Sequence, residues 1–250
     1  MSDIFRSAKS VLRRADKHIE NLENELRIPR NQQPFAYKVD FDEKLKTYIH
    51  KVVFDEGFCE DLSCIMFDAV NNMRSSLDQI TFAIAAKFTG KDVSRAYFPF
   101  AKSEIEWSNN TKKIQYLPPA IIARFKSFQP YKGGNNTLWA LNFIANTKKH
   151  ALLIPVSMGM GLISRKEGKG YEVAFRMIGR PDNEVFLGTS DSPEPDKNIN
   201  FSYSMQIRHN ETVIDRKSPV HLLKAIKLEV DRILFETEKD CCRNALFEQP

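Results

Sequence analysis

Ile4, Ala8, Val11, Ala15, Ile19, Leu22 and Leu26 recur at steps of three and four, with charged residues between them. That is the period of one helix face. It predicts an amphipathic helix over residues 3–27, capped by Ser2 or Asp3 and ended by Pro29. The period then changes. Phe35, Tyr37, Val39 and Phe41 alternate with Ala36, Lys38 and Asp40, which predicts a strand of aromatic and β-branched residues. Tyr48 to Phe54 reads as a second strand or an extended segment. Residues 59–88 return to the helical period, with Phe67, Val70, Arg74, Leu77, Thr81, Ile84 and Phe88 on one stripe and Gly90 closing the helix.

The stretch from 91 to 117 reads as loop, with Phe98-Pro99-Phe100 as its docking point. Pro118 and Pro119 precede a short helix that reaches Phe128. QPYKGGNN is a turn-rich connection, and Thr137 is the expected cap of a helix from Leu138 to about Ala151. Beyond 152 the runs shorten. Ile199, Phe201, Tyr203, Met205 and Ile207 alternate, and HNET predicts a hairpin turn into Val213-Ile214. Ser218-Pro219 opens a last helix with Leu223, Ile226, Val230 and Ile233 on one face. The order predicts an α+β protein: a helical bundle packed with an antiparallel meander sheet, and a C-terminal helix. It reads as a single domain over 1–250, with a helical part at 1–151, a strand region at 152–216 and the C-terminal helix at 219–243.

Composition adds little to the fold and more to the exclusions. The chain is 42% hydrophobic and 28% charged, ordinary for a globular protein. A net charge of +5 permits a polyanionic partner but lacks the dense Lys/Arg stripe of a dedicated DNA-binding module. Cys59 and Cys64, and the adjacent Cys241 and Cys242, lack the spacing of a zinc site and read as free thiols of a reducing cytosol. None of the five histidines stands four residues from another, so neither a metal nor any other cofactor is implied. The N-terminus lacks the apolar core of a signal peptide, and no apolar run of about 18 residues occurs. The expectation is a soluble cytoplasmic protein with no membrane partner. Phosphate-loop, dinucleotide, nucleophile-elbow and HExxH motifs are all absent.

One residue breaks the central stripe. Arg74 stands where an apolar side chain belongs, and a buried guanidinium is costly unless it is paired. Asp78, one turn later, is the nearest partner on the same helix. On the helix beginning at Leu138, Asn142, Asn146 and His150 form a polar column at four-residue steps, with Lys149 beside it. Two helices that each carry polar groups beside an apolar flank predict a shared pocket.

The segment FDAVNNMRSSLDQITFAIA resembles a pattern of roughly G-D-x-h-H-N-L-R-S-A-L-D-H (h apolar) found in a family of uncharacterised bacterial proteins. Phe98-Pro99-Phe100, Gln129-Pro130-Tyr131 and Asn146-Thr147-Lys148-Lys149-His150 are similar to that family's F-P, Q-P-Y and N-x-D-K-H-R elements, in order. The likeness covers roughly residues 60–155. Asn71, Gln79 and Lys148 depart from it, standing where histidine, histidine and aspartate are usual. The family's Arg-x4-His is in turn similar to the signature of the HEPN superfamily, many members of which are metal-independent ribonucleases. That resemblance implies an Arg that stabilises charge on a phosphate and a His that moves protons.

Two readings follow. In the first, the pocket binds RNA or an anionic small molecule through Arg74, Asn146, Lys149 and His150, with Asp78, Asn142 and Tyr131 among its binding residues. If it is catalytic, Arg74 and His150 carry the reaction. In the second, the protein is a non-catalytic interaction protein, and the Arg74, Asp78, Asn146 and His150 network fixes helix register. Dimerisation through the long helices is compatible with either.

Overall fold

The computed structural model describes residues 4–27, 35–91, 93, 96–109, 114–147, 156–165, 171–177, 184–194, 199–207, 212–215 and 217–243. Among the described residues the helices are α1 (Arg6–Glu25), α2 (Glu56–Thr89), α3 (Glu104–Asn109), α4 (Pro119–Ser127), α5 (Asn136–Thr147) and α6 (Pro219–Arg243). The strands are β1 (Phe35–Asp42), β2 (Thr47–Phe54), β3 (Val156–Arg165), β4 (Tyr171–Met177), β5 (Glu184–Ser190) and β6 (Ile199–Ile207). The α+β class and the C-terminal helix are as the pattern predicts. Tyr48 to Phe54 belongs to a true strand, and α3 interrupts what reads as loop in sequence. Among the described residues no helix is long and apolar enough to cross a membrane.

The chain divides into two compact units, each assembled from separate segments. The first comprises Met1–Asn21, Ile65–Leu152 and Val220–Pro250; the second comprises Leu22–Cys64 and Leu153–Pro219.

In the first unit, α2 is the axis. Met66, Ala69, Met73, Ile80 and Ile84 are fully buried, and Val70 and Leu77 widen that seam to a second face. Fully burying such a side chain is worth about 2 kcal/mol. A helix sealed on two sides needs no strong amphipathic contrast, which is why its polar breaks stand out. Arg74 sits on the flank of this seam and not in its centre. Phe88, at the C-terminal end of the predicted stripe, is exposed. Helix α1 and the turn that leads into it bury Phe5, Ala8, Leu12, Ala15, Ile19 and Leu22, so Phe5 and Leu12 take the inward places assigned from sequence to Ile4 and Val11. The buried Ser76 hydroxyl of α2 donates to the Ala8 carbonyl of α1 at 2.9 Å. On α6, the predicted Leu223, Ile226, Val230 and Ile233 are all fully buried. This helix ties back by Lys9–Glu238 at 2.7 Å, Lys227–Asp16 at 3.1 Å, and the paired Arg124–Asp240 of α4 and α6.

The second unit holds two three-stranded antiparallel sheets, ordered β1-β2-β5 and β4-β3-β6, in place of the expected single meander. The strand β5 (Glu184–Ser190) leaves its sequence neighbours and joins the hairpin formed by β1 and β2, far earlier in the chain. Asp42 shapes that hairpin's turn by accepting from the N–H groups of Lys44 and Leu45. The pairing of β2 with β5 slips at His50/Lys51: His50 faces Gly188 while Lys51 faces Phe186. The predicted turn into Val213-Ile214 is corrected in part. Residues 209–211 lie outside the described residues, but 212–215 form turns, and β6 pairs with β3.

Candidate functional site

Helical spacing places Arg74 and Asp78 on one flank of α2, and the guanidinium Nε donates to Asp78 Oδ2 at 3.2 Å. Nη1 of Arg74 donates to Oδ1 of Asn142 on α5, and Asn146 Nδ2 donates to the same oxygen at 2.8 Å. The other Asp78 oxygen accepts the backbone N–H of Phe98 at 2.9 Å. Phe100 lays its ring under the guanidinium, 4.2 Å from ring centroid to Cζ, a stacked cation–π contact. About a fifth of the Arg74 side chain remains exposed (21%), and Asp78 is similar at 24%.

The elements singled out in sequence therefore meet. The Arg-x3-Asp pair fastens the Phe98-Pro99-Phe100 loop, and that loop is fastened in turn to Gln129-Pro130-Tyr131: the N–H of Ala101 donates to the Pro130 carbonyl at 3.1 Å. Phe98 then packs on Phe100 and Phe125, both at 4.9 Å between ring centroids.

The Gln129-Pro130-Tyr131 turn is a tight knot. Gln129 sits at a φ of 50°, and its carbonyl accepts the N–H groups of Tyr131 and Asn135. A Cβ on Gly134 would come within 2.7 Å of that carbonyl oxygen, so only glycine fits there. The cap of α5 is Asn135 and not Thr137, because Asn135 Oδ1 accepts the N–H groups of Thr137 and Leu138 at 3.1 Å each.

Of the residues predicted for the site, Arg74, Asp78, Asn142 and Asn146 come together. Tyr131 does not: its side chain is buried in the knot, and among the described residues no hydrogen bond joins it to Arg74. Lys149 and His150 lie outside the described residues. Gln79, in the place of the HEPN-type histidine, accepts a hydrogen bond from Ser7 of α1 at 2.7 Å. Within the assembled cluster a guanidinium, a carboxylate and two amides hold one another. None of them is suited to passing a proton back and forth at neutral pH.

Elsewhere in this unit, the Arg124 guanidinium holds the Asp240 carboxyl below the ordinary aspartate range through their hydrogen bonds. Burial pushes the Cys241 thiol up to about 12, which leaves it a poor nucleophile.

A second polar assembly, unmarked by any motif, lies in the β1-β2-β5 sheet. His50 is buried; its Nδ1 pairs with the Tyr37 hydroxyl, and its Nε2 lies 2.6 Å from Ser190 Oγ and 3.1 Å from the Ser192 carbonyl. The signal that could have found it is strand register. Tyr37 pairs with Val52 and Ser190 with Tyr48, so both side chains share the His50 face, one step either side of it. That register depends on the pairing of β2 with β5, which nothing local in the sequence dictates. Compared with protein-family models, curated proteins and solved structures, the chain gives no match.

Proposed function

We propose that the helical unit is a cytoplasmic, non-catalytic interaction module, with the Arg74–Asp78–Asn142–Asn146 network as the structural hub that fixes its loops and helices in register. The observation that carries this reading is the double use of Asp78. One oxygen holds Arg74 and the other holds the Phe98 N–H, so the carboxylate is engaged on both sides. A phosphate at Arg74 would have to compete with that carboxylate. The free thiols of Cys64 and Cys242 are exposed, which suits a reducing compartment.

The interaction surface in this reading is the face of α6 that carries Leu228 and Phe235. They are seven residues apart and 71% and 66% exposed. Beside Phe235, a groove of about 280 Å³ is lined by Lys9, Arg13 and Lys227 together with Asp16, Asp231 and Glu238. Lys9 pairs with Glu238, and Lys227 with Asp16 and Asp231, so the rim is neutralised within the chain and the apolar strip of Leu228 and Phe235 is what remains to be covered; the occupant proposed is the same strip of a second copy, packed across a two-fold axis. Sedimentation of the wild type against Phe235→Asp tests this: a dimer that the substitution splits is expected, and a wild-type monomer at high concentration overturns the self-association.

A second reading is binding of RNA or another anion at the hub, favoured by the residual exposure of Arg74 beside the exposed Asn146. Incubation of cellular RNA with the purified chain in excess chelator separates the two. No cleavage is expected. Cleavage that Arg74→Lys abolishes in a folded chain would replace the interaction module with a metal-independent ribonuclease.

A further inference from the structure

We infer that Tyr37, His50 and Ser190 form a Ser–His–Tyr site that hydrolyses small carboxylic esters. The geometry is that of a nucleophile, its base and the group that orients the base. Ser190 Oγ lies 2.6 Å from Nε2 of His50, within reach of a direct proton transfer. The Tyr37 hydroxyl holds the opposite ring nitrogen, Nδ1, and fixes the imidazole plane. The imidazole is buried, 7% exposed, whereas Ser190 is half-exposed, so the base is shielded and the nucleophile reachable. Thr47 Oγ1 donates to the Ser190 carbonyl at 2.9 Å and pins the serine's backbone.

The slip in register beside His50 is part of the arrangement. Bulged pairings re-aim side chains and are frequent beside active sites. Here the slip begins just past His50, so the imidazole keeps Gly188 opposite it in the same register that pairs Ser190 with Tyr48, and a Cβ on Gly188 would meet nothing within 4 Å. That open space beside the imidazole is where the ester would sit. Tyr48, the cross-strand neighbour of Ser190, packs at a tilt against Phe41, 4.9 Å between ring centroids, and gives an apolar platform next to the nucleophile. An exposed, shallow platform of this kind suits a short acyl or aryl ester and not a long chain.

With the hydroxyl turned to Ser192, Ser190 donates to that residue's carbonyl at 2.6 Å and His50 carries its proton on Nε2. In the reactive arrangement the proton of His50 is on Nδ1, facing Tyr37, and Nε2 accepts from Ser190. Oγ attacks the ester carbonyl carbon as its proton passes to Nε2. The C–O bond to the alcohol then breaks, and His50 returns that proton to the leaving oxygen, giving free alcohol and an acyl-serine. Water attacks the acyl carbon next, loses a proton to Nε2, and the carboxylic acid departs as Ser190 regains its hydrogen from His50.

The test is a fluorophosphonate probe on the full chain, with the modified residue mapped by mass spectrometry. Modification of Ser190 is expected in the folded chain and not in the urea-unfolded one. His50→Gln should slow it by at least about a hundredfold, and Gly188→Val, which fills the open space, should slow it as well. On p-nitrophenyl acetate, Tyr37→Phe should lower kcat and leave KM unchanged. An unmodified Ser190 in the folded wild type overturns the assignment without reference to any variant. Wild-type rates in folded His50→Gln or Gly188→Val overturn it too, as does modification of the unfolded chain at the same rate as the folded one.

Discussion

The Arg74 and His50 assemblies are both small polar networks on the flank of an apolar element, and they differ in what their atoms can still do. At Arg74 a charged pair, the guanidinium and the Asp78 carboxylate, is joined by neutral amides, and these groups bind one another, with Phe100 covering one face of the guanidinium. At His50 every member is uncharged when the imidazole is neutral, and the hydroxyl proton of Ser190 has two acceptors to choose between, Nε2 and the Ser192 carbonyl. A charged pair whose partners belong to the same unit adds rigidity. A neutral imidazole–hydroxyl pair with alternative proton positions has the ingredients of acid–base chemistry. A buried arginine therefore attracts attention in sequence for a reason that can be structural, while a histidine in a strand attracts none.

The comparison breaks most readily at Asp78. Asp78→Ala removes the acceptor for both Arg74 Nε and the Phe98 N–H, and leaves a half-buried guanidinium with one fewer partner. Loss of one member of such a network should cost about 3 kcal/mol in urea unfolding. Asp78→Asn, which keeps an acceptor but loses the charge, should cost less. A cost below about 1 kcal/mol for the alanine variant would mean the hub is not structural and would reopen ligand binding at Arg74. Next in size is Gly134→Ala. The new Cβ meets the Gln129 carbonyl oxygen at 2.7 Å and Gln129 Cβ at 2.8 Å, and backbone cannot swing aside as a side-chain tip can. A loss of about 2 kcal/mol is expected. A neutral result would show that the Gln129-Pro130-Tyr131 knot yields locally at no cost to the fold.

The difference between the two assemblies is also a difference in legibility. Arg74 and Asp78 stand four apart on one helix, as do Asn142 and Asn146, so the 3.6-residue period exposes both halves of the hub in one dimension. That the halves touch rests on α2 packing beside α5, which similarity of motif order suggested and no local rule dictates. Tyr37, His50 and Ser190 are separated by 13 and 140 residues, and they meet because β5 pairs with β2 and not with its sequence neighbours. Strand alternation says which residues share a face within a strand; it does not say which strand lies alongside. The same blindness explains why one meander was expected where two sheets stand. Helix α3 escapes the pattern for a different reason: at six residues it is too short to show a period. The inward residues of α1 slipped by one place because Ile4 and Phe5, and Val11 and Leu12, are adjacent apolar pairs between which periodicity cannot choose.

Acid sharpens the contrast from the charged side. Asp240 is 14% exposed and hydrogen-bonded to Arg124, which holds its carboxyl below the ordinary value of about 3.9. A carboxylate with a depressed pKa in the folded state contributes stability that is fully present above the unfolded value and is lost as pH falls through the folded one. Asp240→Asn should therefore lower stability by about 1.5 kcal/mol between pH 5 and 7, and the gap to wild type should close below about pH 4. A gap that stays constant down to pH 2 would assign the loss to packing and not to charge.

The smallest expected effect has the opposite sign. The hydroxyl of Thr237 on α6 is fully buried and has no hydrogen-bond partner among the described residues. It is the exception in a unit whose other buried hydroxyls are satisfied: Ser76 donates to Ala8, and Thr81 donates to Leu77 one turn back. An unpaired buried hydroxyl costs desolvation without return, so Thr237→Val, which keeps the branched shape and exchanges the hydroxyl for a methyl, should raise stability by up to about 1 kcal/mol. Thermal unfolding reads this as a small increase in Tm. A decrease would mean that the hydroxyl is satisfied in solution, and that buried polar groups here are matched as fully on α6 as they are around Arg74.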